Sequence, residues 1–94
     1  MEKEVKWTPV SRKDFWEVVA YLAETWSDDV LEQFSASLNL KVQLLQKQPN
    51  IGFKSFKYSR FRKTLVTKHY MLIYSVTKNH IVIHRLKHTA MTQR

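Results

Sequence analysis

Phe61-Arg62-Lys63-Thr64-Leu65-Val66-Thr67, Tyr70-Met71-Leu72-Ile73-Tyr74-Ser75-Val76-Thr77 and His80-Ile81-Val82-Ile83-His84-Arg85-Leu86 decide the fold. All three runs are rich in β-branched and aromatic residues, and only Lys68-His69 and Lys78-Asn79 interrupt them. Such short breaks between strand-like runs are hairpin turns, so the spacing predicts a three-stranded antiparallel meander. Ile81-Val82-Ile83 lacks a polar alternate, as expected of a central strand buried on both sides.

Upstream, the period changes from strand to helix. Phe15, Val18, Val19, Leu22 and Trp26 recur at three- and four-residue spacing and predict one amphipathic helix. Its start is either Thr8 capping with Pro9 at the first helical position, or Ser11 capping with Asp14 as a capping box. Val5-Lys6-Trp7, just before it, reads as a short strand. Ser27 caps a second helix, with Asp28 and Asp29 in its first turn. Leu31, Phe34, Leu38, Val42 and Leu45 make its stripe, widened by Val30, Leu40 and Leu44, and it stops before Pro49. The short connection predicts an antiparallel helical hairpin whose remaining apolar layer the sheet must cover. Gly52, the single glycine, is the hinge between the helical and sheet parts.

The chain has 94 residues, so one domain over 1–94 is expected, an α+β unit with a single small sheet packed on the helices. It has no cysteine, which excludes disulfides and thiolate metal sites. The opening Met1-Glu2-Lys3-Glu4-Val5 is acidic where a signal peptide would be basic and apolar, and no apolar run approaches membrane-spanning length. A soluble cytoplasmic protein is the expectation.

Charge is segregated along the chain. All eight carboxylates, Glu2, Glu4, Asp14, Glu17, Glu24, Asp28, Asp29 and Glu32, lie within the first 32 positions, with four of the sixteen Lys and Arg residues. The formal charge is therefore −4 up to Glu32 and +12 beyond it. A basic half that the fold does not neutralise attracts polyanions or an acidic protein surface. Within it, Lys54, Lys57, Arg60, Arg62 and Lys63 interleave with Phe53, Phe56, Tyr58 and Phe61. Cations among aromatics suit RNA or single strands, whose phosphates pair while their bases stack. The alternative is a strand or loop with aromatics inward and lysines in water.

The order strand, helix, helix, three strands resembles the RelE/ParE toxin superfamily. Trp7-Thr8-Pro9, the helix from Asp14 to Leu22, Leu45-Gln46-Lys47-Gln48-Pro49-Asn50-Ile51-Gly52, Phe61 to Val66, Tyr70 to Val76 and Ile81 to His88 fall in family order. Together they cover nearly the whole chain. The helix-exit proline and glycine and the closing histidine are more similar to the ParE-like, plasmid-stabilisation branch than to the RelE-like branch. The resemblance implies a growth-inhibiting toxin of a type II toxin–antitoxin pair. Its antitoxin would carry an acidic, disordered segment that folds as it wraps the toxin. Self-association of the toxin is a further possibility.

Two targets follow from the two branches. ParE-like members inhibit DNA gyrase, which is the first expectation here; RelE-like members are ribosome-dependent ribonucleases that cut messenger RNA. A non-toxic RNA-binding module is the third reading. Ribonuclease chemistry needs a base for the ribose 2′-hydroxyl, cations for the developing phosphate charge and an acid for the leaving oxygen, without metal or cofactor. Arg62 and Arg85 are candidates to hold a phosphate together, with Lys63 or Lys87 as point charges. His88 is the candidate acid or base, and Tyr74 a candidate stacking platform or acid. For binding a partner or nucleic acid the candidates are Lys54, Lys57, Arg60, Arg62, Lys63, Arg85 and Lys87.

The tail Thr89-Ala90-Met91-Thr92-Gln93-Arg94 departs from both branches. RelE-like chains are basic and aromatic there, and ParE-like chains commonly place an arginine where Ala90 or Met91 stands. An incomplete catalytic set is the consequence, which ranks gyrase inhibition above RNA cleavage. His80, His84 and His88 recur every four residues, but along a strand they share a face at about 13 Å for each step, too far for one ion. Trp7, Trp16 and Trp26 are expected as core or helix-packing anchors, an exposed one marking the antitoxin groove.

Overall fold

Thr8 fixes where the first strand becomes a helix. In the computed structural model, which describes residues 2–91, strand β1 (Glu4–Trp7) ends beside it and helix α1 (Pro9–Thr25) begins. Thr8 Oγ1 accepts the Ser11 amide at 3.1 Å, and Pro9 occupies the first turn, where its missing N–H costs nothing. Of the two predicted starts, the Thr8 cap forms; Asp14 is used elsewhere. Helix α2 (Asp28–Lys47) begins at Ser27, whose Oγ accepts the Val30 amide at 3.2 Å, with Asp28 and Asp29 in the first turn as predicted.

Five strands make one sheet in the order β1-β5-β4-β3-β2. The predicted meander is there as β3 (Phe61–Thr67), β4 (Tyr70–Val76) and β5 (His80–His88), two residues longer at its end than the sequence indicates. Two additions enlarge it. Strand β1 lies parallel to β5, with Val5 opposite Ile81 and Trp7 opposite Ile83. A two-residue β2 (Phe53–Lys54) pairs antiparallel with Lys63 and Arg62. Two residues carry too little alternation to be legible as a strand.

The helices cover one face of the sheet. Val18, Leu22, Phe34, Leu38 and Leu45 meet Tyr70, Leu72, Tyr74, Ile81, Ile83 and Leu86 in the core. Complete burial of a side chain such as Leu45 or Ile83 stabilises by about 1.5–3 kcal/mol. Among the described residues no helix covers the opposite face, so Val82 is only half-buried, and the expectation of a strand buried on both sides is corrected. Leu40 and Leu44 are exposed rather than widening the α2 stripe. Among the described residues no helix is long and apolar enough to cross a membrane.

A bulge in β5 redirects its last residues. Tyr74 pairs with Ile83 while its neighbour Ile73 pairs with Arg85, so β5 holds one residue more than β4. Ile83 and Leu86 therefore both face the core although three positions apart. This sends His88, opposite buried Tyr70, to the helix side, whereas His80 and His84 lie on the open side. The expectation that these histidines share a face is corrected.

Gly52 is not a free hinge. It is buried, and its amide donates to Tyr74 Oη at 3.0 Å while that hydroxyl donates to the Pro49 carbonyl at 2.8 Å. A Cβ here would lie 2.6 Å from Tyr74 Oη and 2.7 Å from the Lys63 carbonyl oxygen. Close approach, not flexibility, requires glycine.

Candidate functional site

Strand pairing sorts the predicted basic residues onto two faces. Paired residues of an antiparallel ladder point to the same side. Arg62 pairs with buried Tyr74 and so lies on the helix side, whereas Lys63 pairs with Ile73, which also pairs with Arg85, on the open side. Lys87, opposite Met71, joins them. Pairing therefore sets Arg62 and Arg85 on opposite sides of the sheet.

Both arginines have internal partners. Arg62 Nη1 donates to the Asn50 carbonyl at 3.1 Å and the Gly52 carbonyl at 2.9 Å, bracing the exit from α2. Arg85 reaches Asp14 on α1 through Nε at 2.7 Å and Nη2 at 3.2 Å. The hydrogen bonds to Asp14 hold the guanidinium proton more tightly than usual. Asp14 also accepts the Leu86 amide at 3.0 Å, a β5 edge donor beyond the end of β1. Sequence reasoning missed this link, because a carboxylate in a helix carries no sign of a partner 71 residues away.

Tyr74 is wholly buried, so it cannot stack a base, and burial raises its hydroxyl pKa. His88 stacks on His69 at 5.9 Å and meets the Tyr70 ring at 5.2 Å, while its Nδ1 accepts the Ala90 amide at 3.1 Å. The tail position of Arg94 lies outside the described residues. Among the described residues no group of three or more His, Cys, Asp or Glu is arranged to hold a metal.

The open face contains a pair that the sequence did not single out. His84 Nε2 lies 2.8 Å from Ser75 Oγ, and its ring meets Phe61 edge-on at 4.9 Å. Arg60 stands over Phe61 at 4.8 Å. Burial, helped by the Arg60 charge, lowers the His84 pKa, so the imidazole is neutral near pH 7. Phe53 in β2 and Phe56 in the β2–β3 connection are exposed beside Lys54 and Lys57, and Tyr58 carries Lys57 at 5.6 Å from its ring. The reading with aromatics turned inward fails for Phe53, Phe56 and Tyr58, which are exposed, and Phe61 is half-buried on the open face.

A second feature lies at the other end. A cleft of about 450 Å³ opens between the helix hairpin and the β3–β4 turn, lined by Tyr21, Trp26, Phe34, Tyr70, His69 and His88 among others. Trp26, the C-cap of α1, is 59% exposed at its rim, and Trp16 is exposed too. Of the three tryptophans only Trp7 packs against the core.

Residues 5–93 match the family model described as ParE toxin of type II toxin-antitoxin system, parDE. The chain belongs to this toxin family. Solved structures agree in fold. A chain of the chromosomal ParDE TA system from P. aeruginosa is 18% identical with a TM-score of 0.74, over 93% of this chain and 96% of that one. A chain of the E. coli DinJ-YafQ toxin-antitoxin complex is 14% identical with a TM-score of 0.66, and the match covers 100% of both chains. YoeB from the Staphylococcus aureus dimer is 15% identical with a TM-score of 0.64, over 93% and 97%. No curated protein matches in sequence.

Proposed function

We propose that this ParE-family toxin arrests growth by binding DNA gyrase in the cytoplasm and that a cognate antitoxin neutralises it. The observation that carries this reading is the engagement of Arg62 and Arg85 by internal partners on opposite faces of the sheet. A ribonuclease needs free cations converging on one phosphate beside an acid and a base. Here Tyr74 is sealed in the core and His88 turns to the helix side. Inhibition by binding needs no such convergence.

The surface best suited to the target is the β2–β3 connection with the adjoining open face. Lys57, Arg60, Lys63 and Lys87 present positive charge there, with Lys54 beside them on the Arg62 side of β2, all without carboxylates nearby in sequence. Exposed Phe53 and Phe56 add apolar anchors, aromatic residues being enriched in the buried core of interfaces. For the antitoxin, the aromatic cleft rimmed by Trp26 offers a groove, and the basic half complements an acidic segment.

A supercoiling assay with purified gyrase tests the proposal. The chain is expected to inhibit supercoiling, and a triple Lys54→Ala, Lys57→Ala, Arg60→Ala variant to lose inhibition while keeping its fold. Unimpaired gyrase at a large excess of folded toxin would reject the target.

A further inference from the structure

Strand β1 ends the sheet, and its outer edge fits a second copy of itself. The Glu4 amide donates to the Asn79 carbonyl and the Thr8 amide to the Ile83 carbonyl, both at 3.1 Å. Backbone groups of Glu4, Lys6 and Thr8 thus turn toward β5. Those of Val5 and Trp7, alternating with them, turn outward, where they meet no strand among the described residues. An edge of this kind is a template for another strand.

We propose that the chain self-associates through this edge, two copies of β1 running antiparallel about a two-fold axis at Val5. Hydrogen-bond parity leaves few alternatives. Outward-facing residues must oppose one another, so Val5 meets Val5, Trp7 or Lys3 of the second copy, never Lys6. The Val5–Lys3 register centres on Glu4 and sets two glutamates opposite, which is destabilising. The Val5–Trp7 register centres on Lys6 and sets two lysines directly opposite, which is destabilising. The Val5–Val5 register instead sets Glu4 opposite Lys6, and does so twice.

Those two pairs fall at non-hydrogen-bonded positions, where side chains approach most closely. Both residues are exposed and free to meet. The Glu4 contact with His80 is a loose 3.7 Å, and its carboxylate side chain is 84% exposed. Val5 exchanges two backbone bonds with its counterpart, and Trp7 comes opposite Lys3. The Lys3 carbonyl already accepts Gln46 Nε2 at 2.9 Å and keeps a second lone pair for the ladder. At the strand's end Trp7, Phe15 and Trp16 form an edge-to-face aromatic row, with ring centroids 5.9 and 5.1 Å apart. The row gives the pair apolar surface beyond the ladder. Two five-stranded sheets become one continuous sheet.

This inference is independent of the toxic target. Sedimentation of the purified full chain is expected to give twice the monomer mass. Glu4→Lys and Lys6→Glu each place like charges opposite and are expected to sediment as monomers. An equimolar mixture of the two variants restores opposite charges at both positions, so the dimer mass should return. A parent chain that stays monomeric up to roughly 1 mM would overturn the proposal. So would single variants that dimerise as the parent does, or a mixture that stays monomeric although both variants are folded.

Discussion

Asp14 grips Arg85 at two points, 2.7 and 3.2 Å long, and with the same carboxylate takes the Leu86 amide. The contact sits where β1 has diverged and β5 would otherwise expose its edge to α1. One short acidic side chain therefore closes the junction of helix and sheet. Asp14 is nearly buried, its side chain 11% exposed, whereas Arg85 keeps 43% of its side-chain surface in solvent.

Replacing the more buried partner should cost more. Asp14→Ala strands the Leu86 N–H and an arginine, with an expected loss of about 2–3 kcal/mol. Arg85→Ala leaves Asp14 bonded to Leu86 and should cost about 1 kcal/mol or less. Urea unfolding of both variants and the double mutant checks the order, which equal losses would refute.

The Gly52–Tyr74 contact predicts a second asymmetry. Gly52→Ala drives a methyl group into Tyr74 Oη and the Lys63 carbonyl, and overpacking of this kind costs about 1–3 kcal/mol. Tyr74→Phe leaves the buried Gly52 amide without its acceptor, also about 1–3 kcal/mol. In the double variant Gly52→Ala, Tyr74→Phe the closest clash is removed, so its loss should fall short of the sum, measurable as thermal unfolding midpoints.

His84 gives a pH dependence of definite sign. Its folded pKa lies below the ordinary value of 6.5 because burial, and then Arg60, disfavour the imidazolium. The unfolded chain binds the proton more readily, so this contribution is complete above the unfolded pKa and is lost as pH falls through the folded one. Stability should drop as pH falls below the ordinary imidazole value of 6.5, and His84→Gln should flatten that drop. An identical drop in the variant would assign the effect to other groups.

Most of the fold could be read from the chain because its signals are local. Thr8-Pro9 and Ser27-Asp28-Asp29 start helices by capping and dipole chemistry that involves a few adjacent residues. The meander followed from runs separated by two-residue breaks. What escaped depends on partners distant in sequence. The parallel pairing of β1, the two-residue β2 and the β5 bulge are set by register, which no single run specifies.

The candidate site suffered most from this. Arg62 and Arg85 were legible as cations but not as neighbours of Gly52 and Asp14, and one extra residue in β5 decided which face His88 joined. Ser75 and His84 became a pair only once β4 and β5 were aligned. Trp26 looked like the last member of an apolar stripe, yet α1 ends there and the ring stands at the rim of the cleft.

The most direct test is to induce the chain in bacteria without an antitoxin and pulse-label DNA and protein synthesis over the first minutes. A toxin that binds gyrase should stop DNA synthesis promptly while translation continues. Prompt loss of translation with DNA synthesis intact would contradict that target and return the search to RNA cleavage. Unchanged synthesis of both, with growth continuing, would contradict toxicity itself.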